Sequence, residues 1–155
     1  MSRPALDVLI VEDEMLLAIE LEHLIEEAGC HPLGCAMSSD EAVALAERLK
    51  PDLALVDVHL SDGPTGVDVA RKIADDCGGV ALFMTANVKR LPDDFAGACG
   101  VIGKPYSEYG VRTALAFLVV CLSEGRAPGP VPVGLTLAPA YAQRWEAEDP
   151  LARSA

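Results

Sequence analysis

Val8-Leu9-Ile10-Val11-Glu12-Asp13-Glu14 sets four apolar residues directly against three carboxylates. A short apolar run rich in β-branched residues is the pattern of a buried strand. The acids then stand at its carboxyl end. Pro51-Asp52-Leu53-Ala54-Leu55-Val56-Asp57 has the same shape and closes on a single acid, Asp57. Working outward, further apolar runs lie at Val80–Met84 and Gly100–Ile102, with a weaker one at Pro32–Ala36.

Amphipathic stretches separate these runs. From Glu14 to Ala28, Leu17, Leu21, Leu24, Ile25 and Ala28 fall on one helical stripe. Gly29 suits the position after that helix, where φ turns positive. Ser38-Ser39-Asp40-Glu41 reads as a capping box for a second helix with Val43, Ala46 and Leu49 or Lys50 inward, stopped by Pro51. A third helix covers about Gly66–Asp76 and ends at Gly78-Gly79. A fourth, near Val88–Ala98, is expected to be short or irregular because Pro92 sits inside it. A fifth runs from after Ser107 to about Ser123. Five strands alternating with helices predict a doubly wound α/β fold, a five-stranded parallel sheet covered on both faces. Right-handed crossovers place the crevice of such a sheet at the carboxyl ends of its strands.

The 155 residues fit one domain, expected over residues 1–123, with a Pro/Gly-rich tail over 124–155 too short for a second domain. Apolar residues make up 51% of the chain and charged ones 23%, enough for a core and for solubility. A net charge of −12 without a cluster of Lys and Arg argues against nucleic-acid or anionic-membrane partners. Five cysteines without C-x-x-C spacing read as buried reduced thiols. No signal-peptide pattern precedes the first strand, and the longest apolar run, Ala114–Leu122, is too short to span a bilayer, so a cytoplasmic location is expected.

The strand ends carry the chemistry. Glu12 and Asp13 follow the first strand and Asp57 ends the third, and in a parallel sheet those ends are neighbours. Carboxylates this close raise one another's pKa unless a cation lies between them. A hard divalent ion such as Mg²⁺ suits an oxygen-only set that leaves room for a substrate phosphate. Alone, Glu12–Glu14 would equally suit a helix N-terminus, where negative charge is favoured. The other strand ends shift the balance. Thr85 follows the fourth strand, and Lys104-Pro105 follows the fifth. An acid pair, a nucleophilic carboxylate, a hydroxyl and an ammonium together supply what phosphoryl transfer needs.

Those stretches, Val8–Glu14, Pro51–Asp57, Thr85-Ala86 and Lys104-Pro105, resemble the receiver domain of two-component response regulators over about residues 5–123. The resemblance implies a flavodoxin-like sheet of order 2-1-3-4-5. It implies Asp57 as phosphoacceptor, with Glu12, Asp13, Asp57 and the backbone carbonyl of His59 around Mg²⁺. Lys104 would pair with Asp57 and then with the phosphoryl oxygens, and Thr85 would bond the phosphoryl group. The Lys104–Pro105 bond is expected to be cis. The chain departs from the family in having Val101, not an aromatic, three residues before the lysine. The imidazole of His59 is read as a loop side chain.

The phosphoryl donor implied is a histidine kinase or a histidine phosphotransfer protein. Output is expected through protein contact or phosphate flow. The fifth helix is apolar all round, so Phe117, Val120 or Cys121 would be exposed for a dimer or downstream partner, or covered by Val131, Val133, Leu135, Leu137, Tyr141 and Trp145 of the tail. The alternative function is a non-phosphorylated interaction module on the same fold. A dehalogenase-type phosphatase would want an acid where His59 stands. A flavodoxin-like electron carrier would want a phosphate-cradling loop where Glu12-Asp13 stand.

Overall fold

The computed structural model describes residues 5–145. The apolar runs form parallel strands: β1 (Asp7–Val11), β2 (His31–Ala36), β3 (Leu53–Asp57), β4 (Val80–Thr85) and β5 (Gly100–Gly103). Between them lie α1 (Met15–Glu27), α2 (Ser39–Leu49) and α3 (Gly66–Lys72), the last continued by a π-turn at Ile73–Cys77. Helix α4 (Glu108–Glu124) follows β5. The Ser38 side chain caps α2 by accepting from the Glu41 N–H, and Ser107 caps α4 by accepting from the Gly110 N–H.

Strand order is β2-β1-β3-β4-β5, as expected, but the sheet does not stop there. A sixth strand, β6 (Leu135–Leu137), pairs antiparallel with β5, and a short helix, α5 (Pro139–Arg144), follows. The five-stranded expectation is therefore corrected to six strands among the described residues. In the register of this pair Gly100 faces Leu137 and Ile102 faces Leu135. A Cβ on Gly100 would lie 2.5 Å from the carbonyl oxygen of Thr136, so only glycine admits β6 this close.

Successive strand residues point to opposite faces. Val8 and Ile10 pack with Leu21, Leu24, Ile25, Leu115 and Leu118 of α1 and α4. Leu9 and Val11 pack with Ala42, Ala46, Val69 and Ile73 on the side of α2 and α3. Leu17, Ala28, Val43 and Leu49, placed inward from sequence, are only half-buried. The five cysteines are free, four buried and Cys35 half-buried.

No α-helix forms between β4 and β5. Two 3₁₀ turns, Val88–Arg90 and Phe95–Gly97, stand there instead. Pro92 lacks the N–H a helix would use. The Arg71 guanidinium then holds both carboxylate oxygens of Asp94 at 3.1 and 3.2 Å. Phe95 and Ala96 adopt left-handed backbone, φ 53° and 51°, which leads the chain away from helix.

The outer face of α4 is not exposed. Phe117, Val120 and Cys121 are buried, and Leu135 and Trp145 share the cluster that contains Phe117 and Cys121. The segment after α4 rises along the sheet edge and returns as β6. The N–H of Ala138 donates to the carbonyl of Cys99 at 2.8 Å, and the N–H of Ala127 to that of Trp145 at 3.0 Å. At the opposite margin, β2 carries Pro32, and its pairing with β1 passes over Leu33, with Val8 opposite Pro32 and Leu9 opposite Gly34. Among the described residues no helix is long and apolar enough to cross a membrane.

Candidate functional site

Three loops bring the chemistry together at the carboxyl edge of the sheet. Glu12 and Asp13 leave β1 side by side, held where the Glu12 N–H donates to the carbonyl of Ala36 at 2.9 Å. Asp57 is the last residue of β3, one strand over. Single carboxylate oxygens of Glu12, Asp13 and Asp57 all lie within 4.8 Å of one another. Lys104, just past β5, donates from Nζ to Asp57 Oδ2 at 2.8 Å and lies 3.5 Å from Glu12 Oε1. The Lys104–Pro105 bond is cis.

Burial governs the electrostatics. The Glu12 side chain is 3% exposed, against 12% for Asp57 and 22% for Lys104. Burial pushes the Glu12 carboxyl up to about 8, aided by the hydrogen bond and the charge of Asp57, and Lys104 offsets this only in part. For Lys104, burial works against the charge. The hydrogen bond to Asp57 and the charges of Asp57 and Glu12 outweigh it, so its pKa lies above the ordinary lysine value. With Glu12 ionised, the three carboxylates of Glu12, Asp13 and Asp57 face one ammonium and leave a surplus of negative charge. An oxygen-only set with that surplus fits a divalent cation.

Thr85 is buried at the end of β4, one residue past Met84, which faces Asp57. Its backbone carbonyl accepts from the Lys104 N–H at 2.8 Å, and its Oγ1 accepts from the Asn87 N–H at 3.1 Å. Thr85 therefore ends its strand beside the backbone that carries Asp57 and Lys104. His59 is exposed on the loop after β3, and its N–H donates to Asp57 Oδ1 at 3.1 Å. The imidazole joins no cluster with the acids among the described residues.

Two supports went unread in the sequence. Asp62 accepts from the Ser39 N–H and from the hydroxyls of Ser39 and Thr65, tying the loop after Asp57 to the start of α2. Those bonds keep the Asp62 carboxyl below the usual range. Gly66, first residue of α3, packs so closely that a Cβ would lie 2.2 Å from the carbonyl oxygen of Asp57 and 2.7 Å from Val58 Cα. Gly66→Ala is expected to push α3 off the strand end, lowering stability by about 1–3 kcal/mol. Thermal melting checks this, and a variant melting with wild type would count against it. Beside the acids, Glu14, Leu17, Glu20, Ala86, Lys104, Pro105 and Tyr106 line a cleft of about 440 Å³. The Tyr106 hydroxyl is buried there without a hydrogen-bond partner among the described residues, and burial raises its pKa.

Comparison with known proteins agrees with this geometry. The model of the response regulator receiver domain matches residues 8–116. The phyllosphere-induced regulator PhyR of Methylorubrum extorquens is 33% identical over 114 residues, which are 72% of this chain and 43% of that protein. The transcriptional regulatory protein PdtaR of Mycobacterium tuberculosis is 38% identical over 105 residues, 64% of this chain and 50% of that one. The chain spans about half the length of these curated relatives or less. The solution structure of the Erythrobacter litoralis PhyR receiver domain superposes with a TM-score of 0.65 at 29% identity, covering 83% of this chain and 97% of that one. The PhyR crystal structure from Brucella abortus gives 0.62 at 28%, covering 78% and 48%. With the matched residues running from β1 into α4 and taking in every acid, hydroxyl and ammonium of the edge, the chain belongs to the response regulator receiver domain family.

Proposed function

We propose that the chain is a phospho-accepting switch of a two-component or phosphorelay system, phosphorylated on Asp57. One observation carries this: the buried convergence of Glu12, Asp13 and Asp57 with the Lys104 ammonium on Asp57. A carboxylate oxygen of Asp57 attacks the donor phosphorus. The P–N bond of a phosphohistidine breaks as the acyl P–O bond forms, and the electron pair leaves on the imidazole nitrogen. Lys104 orients Asp57 beforehand and then follows charge onto the phosphoryl oxygens. Thr85 turns its hydroxyl from the Asn87 amide to the phosphoryl group. Glu12, Asp13, Asp57 and the carbonyl of His59 would hold Mg²⁺, which when bound neutralises phosphoryl charge. The chain's own chemistry is limited to taking up and losing this group.

Incubation with acetyl phosphate and Mg²⁺ tests the assignment by intact mass. The wild type is expected to gain one phosphoryl group and Asp57→Ala none. An equal adduct on Asp57→Ala overturns it.

A histidine kinase or histidine phosphotransfer protein is the proposed donor. Beside the acids the first turns of α1 present apolar side chains to solvent: Met15, Ile19 and Leu16, the last 82% exposed. Such a patch suits a protein that must carry its phosphohistidine to Asp57. Leu16→Asp is expected to slow transfer from a protein donor at least tenfold, a loss of about 1.4 kcal/mol, and to leave acetyl phosphate labelling intact. Equal slowing with both donors would remove the patch from donor recognition.

The non-phosphorylated interaction module remains the second reading. An unlabelled wild type would favour it.

A further inference from the structure

The loop between β3 and α3 is fastened by side chains that the phosphoryl chemistry does not use. Val58 and Leu60 are buried on the side of α2 and α3, and the exposed His59 lies between them. Past Leu60 the chain folds back on itself. The Leu60 N–H donates to the Gly63 carbonyl at 2.8 Å, and the Gly63 N–H donates to the Leu60 carbonyl at 3.0 Å. A trans peptide is planar, so a carbonyl and the next residue's N–H share one plane and point in opposite directions. Holding the Leu60 N–H therefore fixes the direction of the His59 carbonyl, the main-chain oxygen proposed for Mg²⁺.

The Gly63 carbonyl is itself held, since it also accepts from the Thr65 N–H at 2.8 Å. Asp62, the residue before Gly63, reaches a different element. Its carboxylate accepts from the Ser39 N–H at 3.1 Å and from the Ser39 hydroxyl, and on its own loop from the Thr65 hydroxyl at 2.7 Å. Ser39 opens α2, where N–H groups lack partners within the helix and negative charge is favoured. Ser61 adds a second tie, its N–H and hydroxyl donating to the Met37 carbonyl at 3.2 and 2.9 Å.

We infer that Asp62 is a positioning residue for the cation: by tying the turn at Gly63 to α2, it holds the plane of the His59–Leu60 peptide and with it the His59 carbonyl. This rests on the phosphorylation reading above. Asp62 lies outside the acid cluster and acts through the backbone. The His59 N–H on Asp57 Oδ1 fixes the near side of the same residue. Once the turn is released, the carbonyl can swing on that pivot. A ligand that must be aimed anew at each binding event weakens the site.

A helix cap alone would contribute stability without touching metal affinity, so Ser38 supplies the comparison. It caps the same helix by accepting from the Glu41 N–H and makes no hydrogen bond to the loop among the described residues. Mg²⁺ binding to the full chain is measured by titration calorimetry without any phosphodonor. Asp62→Ala is expected to raise the Kd roughly tenfold. Ser38→Ala should lower the melting temperature and leave the Kd at the wild-type value. Asp62→Asn, which keeps an oxygen for the Ser39 N–H, should recover part of the loss. With acetyl phosphate, Asp62→Ala should label slowly at low Mg²⁺ and at the wild-type rate once Mg²⁺ saturates. If Asp62→Ala fails to fold, Ser39→Ala, which removes the hydroxyl bond alone, should still raise the Kd. A wild-type Kd in the folded variant overturns the positioning role and leaves the phosphorylation reading standing. Equal weakening by Ser38→Ala reduces Asp62 to a helix cap and overturns it too. A wild-type chain that takes no label overturns both.

Discussion

A chain ended at Glu124 is expected to melt roughly 10–20 °C lower than the full chain and to self-associate. The cut removes Trp145 and Leu135, both buried, and bares Phe117 and Cys121 of the same cluster. Truncating a buried tryptophan to alanine costs about 3–5 kcal/mol, and a buried leucine about 2–5 kcal/mol. Losses of that size approach the whole stability of an ordinary domain, about 5–15 kcal/mol. The newly bared β5 edge adds unpaired N–H and C=O groups that invite other strands. Thermal melting and light scattering after gel filtration measure both effects. A chain ended after Trp145 should recover most of the loss, because it restores β6, Leu135 and Trp145. A truncated protein that stays monomeric and melts with the full chain would show that residues 1–123 suffice as the folding unit, the boundary expected from composition.

The second large effect concerns Glu12 and the cation. Its carboxyl in the folded chain is raised from 4.5 to about 8. For an acid whose pKa is raised, the native state holds its proton more tightly than the unfolded chain. The resulting stability is fully present below the unfolded value and is lost as pH rises through about 8. Metal-free protein should therefore melt lower at pH 8.5 than at pH 5, the loss being at most about 1.4 kcal/mol for each tenfold difference in proton affinity between the two states. Mg²⁺ should reverse that fall, adding about 2.7 kcal/mol when present at a hundred times its Kd. Glu12→Gln keeps the shape and removes the charge. It should flatten the metal-free pH profile, raise the melting temperature at pH 8.5 and gain less from Mg²⁺. Parallel profiles for the two proteins would refute the charge surplus assigned to this site.

Much of this was legible from residues alone, for identifiable reasons. A strand buried on both faces reads as an unbroken apolar run, so Leu9–Val11 and Leu53–Val56 announced themselves. Residues that do chemistry on such a sheet sit at strand ends, so Glu12, Asp57, Thr85 and Lys104 could be placed without coordinates. Their approach to one another required the register of β1, β3 and β4. The sixth strand was hidden because Leu135-Thr136-Leu137 is only three residues long and follows a run of prolines. Its trace lay elsewhere, in a fifth predicted helix too apolar for a surface with water on one side. The tail was weighed as its cover, and Leu135 and Trp145 join the cluster of Phe117 and Cys121, whereas Val131 and Val133 stay exposed. The constraint on Gly66 had no trace at all, because it depends on how near the backbone of Asp57 and Val58 comes.

The two margins of the sheet bear on solubility at high concentration. Parallel strands left bare at an edge can recruit neighbouring molecules into fibrillar stacks. Here one margin bears an imino acid that cannot donate and a skipped pairing, and the other is capped by an antiparallel ribbon running against the grain of the rest. A cell could accumulate many copies of this protein without seeding cross-molecule sheets, so long as that ribbon stays in place.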